Sequence, residues 1–203
     1  MQPRNSVDVL ILAGGKSQRM GSDKASLVID GIPLIARVGR AVSHLGPTVV
    51  VGGTAELLIA LREHCSDLAD LTHLADPSDD PGPFGAIVHG LRDTTAREIL
   101  IVSCDLASLQ RADVELLLEA RRSGDADVSV PMVHGRRQWH ALAISERTIP
   151  VLTERHRNGV RSVRRGFSGV SQSVLVSADP TFFSDLDTPE DVQRFSASEI
   201  LKR

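Results

Sequence analysis

Tyrosine is absent from the 203 residues of this chain, and aromatic residues of all kinds make up only 3% of them. A chain so poor in rings has little material for the stacking surfaces on which single-stranded nucleic acids are held. The formal net charge is -3, so the chain also lacks the overall basic character of a nucleic-acid-binding protein. Both shortages argue against a nucleic acid as the partner.

Cysteine and long apolar runs are also scarce. Cys65 and Cys104 are too few for a disulfide framework or a cysteine-based zinc site. The apolar run at 7–13 is interrupted by Asp8 and is too short for a signal peptide, and no run approaches a transmembrane span. We therefore expect a cytoplasmic protein without a membrane partner.

Strand and helix patterns alternate along most of the chain. Runs rich in apolar residues, typical of strands buried on both faces, lie at 7–13, 47–53, 71–75 and 98–103. Helical spacing predicts helices at 33–46, 55–65, 86–93 and 111–124, and later strands are expected at 126–133, 138–145 and 173–177. This order predicts one α/β domain over 1–203, with a mostly parallel sheet and ligands outside the carboxyl ends of its strands.

The stretch LAGGKSQRMGSDKASL, at 12–27, follows the first predicted strand. It is not a Walker loop, because Leu10 stands where the first glycine is required. It is not a dinucleotide-binding fingerprint either, because the next glycine after Gly14-Gly15 is Gly21. The glycines still allow backbone N–H groups to approach a phosphate, and Arg19 and Lys24 supply positive charge, so the loop predicts phosphate binding.

This loop resembles the signature of the molybdenum cofactor guanylyltransferases, whose pattern is roughly LAGG-x-S-x-RMG-x-DKA. The chain carries every fixed position of that pattern: Leu12, Ala13, Gly14, Gly15, Ser17, Arg19, Met20, Gly21, Asp23, Lys24 and Ala25. The resemblance implies a Rossmann-like three-layer α/β/α fold of the nucleotide-diphospho-sugar transferase type, with a mostly parallel, mixed sheet. It also implies that an Mg²⁺-dependent enzyme transfers GMP from GTP to the terminal phosphate of molybdopterin and releases pyrophosphate.

The resemblance assigns roles within the loop. The backbone from Leu12 to Gly15 would face the nucleotide. Lys24 would bridge the phosphates, while Arg19 would support the loop or the leaving pyrophosphate. Both side chains are therefore predicted to take part in catalysis.

Two carboxylates are candidate metal ligands. Asp105 follows the strand at 98–103, and CDLASL resembles the family motif CD-x-P-x-L, whose aspartate binds magnesium, with Ala107 in place of the proline. DLDTPED, at 185–191, resembles N-I-N-T-P-E-D with both asparagines replaced by aspartate. Because aspartate at Asp187 is similar to the related cytidylyl enzymes, where it can complete a metal site, Asp187 is a second candidate ligand.

The loop ADPSDDPGPFGAI, at 75–87, resembles the acidic family loop that leads to G-P-L-A-G. Gly82 matches its framework. Asp76 is the position most similar to the family's nucleotide-contacting acid, and a carboxylate there can accept hydrogen bonds from guanine N1–H and N2–H₂. Both residues are therefore predicted nucleotide contacts.

The second half carries a basic segment, RHRNGVRSVRRGF at 155–167, which suits an anionic substrate. The resemblance places the pterin phosphate against this half, and the candidate contacts are His140, Asn158, Arg161 and Arg164. We therefore expect a nucleotide-binding half at about 7–125 and a second-substrate half at about 126–203. The product would pass to molybdenum enzymes, with other cofactor-biosynthesis proteins as further partners.

Two alternatives remain open from the sequence. One is a molybdopterin cytidylyltransferase or another nucleotidyltransferase of the same fold, which Asp187 favours and Gly14-Gly15 disfavours. The other is a nucleotide-binding partner protein without catalysis. Its support is two missing prolines. Ala107 replaces the proline of CD-x-P-x-L, and GRRQWHALAIS, at 135–145, resembles a family strand with H-P-L-x-A-L, in which His140 matches the histidine and Ala141 replaces the proline.

Overall fold

A computed structural model describes residues 7–14, 24–68, 70–77, 82–176, 186, 191 and 193–195. Its strands are β1 (Val7–Leu12), β2 (Val28–Ile29), β3 (Ile32–Pro33), β4 (Thr48–Val51), β5 (Leu71–Leu74), β6 (Glu98–Ser103), β7 (Val128–Val133), β8 (Arg136–Arg137), β9 (Ala141–Ser145) and β10 (Gln172–Val176). Its helices are α1 (Leu34–Val42), α2 (Glu56–His64), α3 (Pro83–Gly90), α4 (Arg111–Ser123), α5 (Ile149–Arg157) and α6 (Val163–Gly166).

The central sheet is mixed and mostly parallel, as predicted. Its order is β10-β7-β9-β6-β1-β4-β5, with β8 paired to β7. β9 runs antiparallel to β6 and β7, and the other pairs along that path are parallel. After β1 the chain continues on one side with β4 and β5 and then crosses to β6 on the other side. A ligand crevice is expected outside the carboxyl ends of β1 and β6, because the strand order reverses there.

Helices cover both faces of the sheet, which gives the three layers. Val9 and Ile11 point to a core formed with α1, α2 and α4, while Leu10 points to a second core formed with α3 and α5. Alternate residues of one strand thus enter different cores, because successive side chains of a strand face opposite ways. This two-sided burial explains why β1 and β6 are nearly continuous apolar runs in the sequence.

Short elements account for most differences from the sequence-based prediction. α3 begins at Pro83 rather than at 86, because a proline fits the first turn of a helix and Gly82 forms its N-cap. The hairpin β2–β3 and the strand β8 were not predicted, since each strand has two residues. Asp30-Gly31 was an available hairpin signal, and both residues have positive φ, 52° and 76°. The sequence also predicts the start of a last helix with Thr188 as N-cap and Pro189 at the first helical position, and both residues lie outside the described ones.

Two buried acids at the amino ends of strands have structural partners. Asp8 Oδ2 accepts from the backbone N–H groups of Thr95 and Ala96, both at 3.2 Å. Glu98 pairs with Arg121 and Arg122 at 2.7 and 2.6 Å. These contacts tie strands to neighbouring segments at the edge away from the crevice. In the described part of the chain, no helix combines the length and apolar character needed to cross a membrane.

Candidate functional site

The ends of β1, β4 and β5 are joined directly by backbone hydrogen bonds. Ala13 N–H and Gly14 N–H both donate to the carbonyl of Val51, at 2.8 and 3.2 Å. Gly52 N–H donates to the carbonyl of Leu74 at 2.9 Å. The segments that leave these three strands therefore start side by side, and two of the predicted nucleotide contacts, Ala13 and Gly14, lie in the first of them.

Gly14, Gly52 and Asp76 are packed so closely that neither glycine has room for a side chain. A Cβ on Gly14 would lie 2.7 Å from Asp76 Cγ and still closer to both carboxylate oxygens. A Cβ on Gly52 would lie 2.5 Å from Gly14 N and 2.7 Å from Asp76 Oδ1. Gly52 also has a φ of 82°, a conformation that favours glycine. The structure thus brings the predicted acid Asp76 against the predicted loop residue Gly14.

Gly52 was not predicted as a site residue, although its position gave a signal. The pair Gly52-Gly53 follows β4 directly, and both residues have positive φ, 82° and 66°. His73 Nε2 lies 3.2 Å from the Gly52 carbonyl oxygen and helps to hold this turn. Two adjacent glycines at the carboxyl end of a buried strand indicate a close backbone approach.

Gly82 links the acidic loop to the basic segment. Its backbone is extended, with φ 160°, and its carbonyl accepts from Ala86 N–H at 3.2 Å in the first turn of α3. A Cβ on Gly82 would lie 3.8 Å from the carbonyl oxygen of Arg161. A predicted nucleotide contact and a predicted pterin-side contact are therefore neighbours in space. Gly82 is also the N-cap of α3, so the positive end of that helix dipole lies at this contact.

Asp105 lies where β6 leaves the sheet, beside the end of β1. Asp105 is 9% exposed. The N–H of the preceding residue, Cys104, donates to the Leu12 carbonyl at 3.0 Å. Leu186 N–H donates to the Asp105 carbonyl at 3.3 Å. Asp105 is therefore close to the end of β1 and to Leu186, the residue that precedes Asp187 in the chain.

Ala107 contributes a hydrogen bond that a proline could not make. Its N–H donates to the Asp105 carbonyl at 3.0 Å, which closes a tight turn directly after the carboxylate residue. The departure from the CD-x-P-x-L motif is thus accommodated locally: this chain closes the turn with a hydrogen bond, whereas a proline would restrict φ.

His140 lies beside the end of β6, on the side of β9. Its carbonyl accepts from Ser103 N–H at 2.8 Å, one step beyond the last pair of the β6–β9 ladder. The side chain is half-buried. His140 therefore lies beside the residues that lead into Asp105, whereas Asn158, Arg161 and Arg164 lie on the segment that follows α5.

The basic segment contains both structural and exposed cations. Arg155 Nη1 donates to the Gly166 carbonyl at 2.6 Å, which ties α5 to α6. Arg161 Nη1 donates to the carbonyls of His156 and Val160, at 2.9 and 3.1 Å, yet its side chain remains exposed. Arg164 is exposed on α6, and Asn158 is the exposed C-cap of α5. Arg161, Arg164 and Asn158 can therefore reach an anionic ligand.

Some of the predicted residues lie outside the described part of the chain. These are Gly15, Arg19 and Asp187. Lys24 begins a 3₁₀ turn, Lys24–Ser26, and its side chain is likewise outside the description. Their proposed roles remain predictions.

A cavity of about 290 Å³ lies on the other side of the Asp105 loop, between α1 and the start of α4. Arg37, Arg40, Arg111, Ala107 and Phe195 are among its lining residues. Two of its three arginines pair with acids, since Arg37 lies 3.8 Å from Asp30 and Arg111 lies 3.1 Å from Glu115. The cavity flanks the loop after Asp105 and is separate from the contact between Gly14 and Asp76.

Comparison with protein families matches residues 9–174 to the MobA-like NTP transferase domain. The chain belongs to this family. The match begins within β1 and ends within β10, so it covers the strand-end segments around Gly14, Asp76 and Asp105 as well as the basic segment. The MobA-like domain is a nucleotidyltransferase domain.

Curated relatives agree with the MobA-like assignment. A molybdenum cofactor guanylyltransferase from Pseudomonas aeruginosa is 32% identical over 187 residues, which cover 90% of this chain and 90% of that protein. One from Pseudomonas putida is 29% identical over 189 residues, with 91% and 95% covered.

Solved structures support the fold. Molybdopterin-guanine dinucleotide biosynthesis protein A from Archaeoglobus fulgidus superposes with a TM-score of 0.76 at 19% identity, covering 97% of this chain and all of that one (100%). A 4-diphosphocytidyl-2C-methyl-D-erythritol synthase from Anaerococcus prevotii reaches 0.77 at 10% identity, covering 99% of this chain and 100% of that one. The predicted fold of the nucleotide-diphospho-sugar transferase type is therefore confirmed.

Proposed function

We propose that this MobA-like protein transfers GMP from GTP to the terminal phosphate of molybdopterin and releases pyrophosphate. The observation that carries the proposal is the close packing of Gly14, Gly52 and Asp76 beside the strand end that bears Asp105. This arrangement places open backbone and two carboxylates at the point where the strand order reverses. The curated relatives are named molybdenum cofactor guanylyltransferases, which supports guanine as the base and a form of the molybdenum cofactor as the acceptor.

The nucleotide lies over the ends of β1, β4 and β5 in this proposal. Gly14 is exposed and has no side chain, so a ligand can approach the backbone from Leu12 to Gly14 closely. The carboxylate of Asp76 lies beside that backbone and accepts hydrogen bonds from guanine N1–H and N2–H₂. Cytosine lacks this pair of donors, so the carboxylate favours GTP over CTP.

The acceptor lies on the side of β6 and β9. His140 lies on this side, beside Ser103 at the end of β6. Asn158, Arg161 and Arg164 are exposed, with Arg161 near Gly82, and the cations would offset the charge of the acceptor phosphate. We propose on this basis a nucleotide-binding half at about 7–125 and a second-substrate half at about 126–203. We propose that the reaction takes place in the cytoplasm, where the buried thiols of Cys65 and Cys104 stay reduced.

Magnesium fits the residues around Asp105. Mg²⁺ prefers oxygen ligands and is commonly held by one or two carboxylates together with substrate phosphates. Among the described residues, no group of three or more His, Cys, Asp or Glu side chains could hold a metal ion. Asp105 would hold the ion, with Asp187 as a second ligand. A bound Mg²⁺ would neutralise negative charge on the triphosphate.

The transfer needs no nucleophilic side chain. An oxygen of the acceptor phosphate is already anionic and forms a bond to the α-phosphorus of GTP, while the bond from that phosphorus to the bridging oxygen of pyrophosphate breaks. The protein contributes position and charge neutralisation. Lys24 and Arg19 are the side chains that we propose for stabilising the triphosphate and the leaving pyrophosphate.

Pyrophosphate release tests the proposal. The protein is incubated with molybdopterin, Mg²⁺ and GTP, CTP or ATP in separate reactions. We expect pyrophosphate only with GTP and only when molybdopterin is present. Turnover with CTP alone would assign the protein to the cytidylyl enzymes, and GTP binding without any turnover would favour a non-catalytic role.

A further inference from the structure

Trp139 is the only tryptophan of the chain, and it lies at the acceptor side of the site. It directly precedes His140, whose carbonyl accepts from Ser103 N–H at 2.8 Å, and Asp105 follows Ser103 by two residues. The indole is half-buried, so part of it is accessible at the carboxyl edge of the sheet.

Trp139 ends a row of packed rings. Its ring stacks on Phe167 with centroids 6.2 Å apart and planes inclined by 26°. Phe167 meets Phe84, in the first turn of α3, edge to face at 6.5 Å. Both phenylalanines are completely buried, at 0% exposure, so Trp139 is the member of these three that reaches the surface. The packing of the two buried rings fixes the orientation of the indole.

The row is held in place by a close backbone approach. A Cβ on Gly166 would overlap the Phe84 ring, lying 2.6 Å from its Cδ2 atom. Arg155 donates to the Gly166 carbonyl at 2.6 Å, and Gly166 directly precedes Phe167. The helix α6, which carries the exposed Arg164, therefore leads directly into Phe167, the ring on which Trp139 stacks. A planar group on the indole and an anionic group on α6 can therefore belong to one ligand.

We propose that Trp139 forms the stacking wall for the pterin ring of the acceptor, while the cations of α6 bind its phosphate. This inference rests on the proposed function and assigns a residue that determines acceptor specificity. A pterin offers a flat ring face, and an indole offers a flat π-face on which such a ring can stack. The guanine of GTP is also planar, but its proposed site beside Asp76 lies across the sheet, over β1, β4 and β5.

Fluorescence provides a direct test, because the emission of the chain comes from a single indole. The wild-type protein is titrated with a pterin monophosphate, with the same pterin without phosphate, with inorganic phosphate and with GTP. A free tryptophan derivative in parallel corrects for absorption by the pterin. We expect saturable quenching by both pterins, tighter for the phosphorylated one, and little change with phosphate or GTP. Absence of saturable quenching by the pterin monophosphate would overturn the inference.

Variants separate stacking from simple packing. Trp139→Leu should raise the KM for molybdopterin roughly tenfold, because stacking on an aromatic side chain is lost, and leave the KM for GTP unchanged. Trp139→Phe, which keeps a ring on Phe167, should restore most of the affinity for the acceptor. Equal KM values for molybdopterin in wild type and Trp139→Leu would contradict the inference, as would a parallel loss of GTP affinity.

Failure of this inference can be distinguished from failure of the proposed function. Wild-type transfer of GMP with no effect of Trp139→Leu would overturn the stacking role alone. Saturable quenching by the pterin monophosphate, with no transfer from any nucleotide, would overturn the transfer reaction and support Trp139 as a pterin contact.

Discussion

The carboxylate of Asp76 lies directly against Gly14, so that a Cβ on Gly14 would come within 2.7 Å of Asp76 Cγ. Asp76 follows β5 and Gly14 follows β1, and β4 lies between these two strands in the sheet. Gly52, which follows β4, completes the contact from between them. The three strand ends therefore form one tightly packed surface, and its shape depends on two positions that have no side chain.

Gly14→Ala should abolish most activity without unfolding the protein. The new methyl group would displace Asp76 or the backbone that faces the nucleotide, and a displacement of about 1 Å at a reacting site can cost roughly 10²-fold in rate. Steady-state kinetics with GTP varied should show this loss in kcat/KM. Wild-type kinetics for Gly14→Ala would contradict the role given to this contact.

Gly135→Ala is the matched control for that substitution. Gly135 has a φ of 74° in the turn between β7 and β8, and a Cβ there would meet nothing within 4 Å. The alanine should therefore cost roughly 1–2 kcal/mol in stability through backbone strain alone. Transfer activity at a temperature where both variants are folded should match the wild type.

Asp105→Asn should lose most transfer activity, because the amide keeps the size of the side chain and removes the charge that holds a cation. Its Mg²⁺ titration curve should shift to higher concentration, while circular dichroism should report a folded protein. Asp93→Asn removes a charge at an exposed position after α3 and should leave both activity and the Mg²⁺ curve unchanged. An unchanged Mg²⁺ requirement in Asp105→Asn would contradict its role as a ligand.

Two arginines of the basic segment should respond differently to alanine. Arg164 is exposed, so Arg164→Ala should raise the KM for molybdopterin, more so at low ionic strength, with little change in Tm. Arg155 donates to the Gly166 carbonyl, so Arg155→Ala should lower the free energy of unfolding by roughly 1–3 kcal/mol. Kinetics at two salt concentrations and thermal melts would separate these effects. Equal Tm losses in both variants would contradict the distinction.

His44 should make stability depend on pH. Burial and the nearby Arg111 lower the pKa of His44 below its usual 6.5, and they outweigh Glu115, whose carboxylate lies 3.3 Å away. The folded protein therefore binds this proton less readily than the unfolded chain. Titration of His44 therefore does not lower the free energy of unfolding above about pH 6.5. The free energy of unfolding decreases as the pH falls through that value.

The free energy of unfolding, measured by urea titration at neutral and mildly acidic pH, checks this dependence. His44→Gln removes the titrating group and should give a smaller decrease on acidification. A decrease identical to that of the wild type would exclude His44 as the source.

Much of the fold follows from local sequence. β6 has the bounds predicted for it, Glu98–Ser103, because a strand buried on both faces is a continuous apolar run. The placement of Asp105 at a strand end follows from the same run. Two-residue strands such as β2 and β3 have too few residues for any periodicity, and α3 begins early because Pro83 is compatible with a first helical turn.

The contacts of the site depend on distant parts of the chain. Gly14 and Asp76 are far apart in sequence, and their packing is determined by the register of β1, β4 and β5. The stacking of Trp139 on Phe167 likewise joins the turn before β9 to the residue after α6. Residue types and spacing identified several members of the site, whereas sheet pairing determines which of them touch.

A competition between nucleotides is the most direct test of the account. Wild-type protein is given molybdopterin and Mg²⁺ with equal concentrations of GTP and CTP, and the dinucleotide products are identified by mass spectrometry. We expect the guanine dinucleotide in large excess, and a reduced excess for Asp76→Ala. A predominantly cytosine-containing product from the wild type, or no dinucleotide at all, would contradict it.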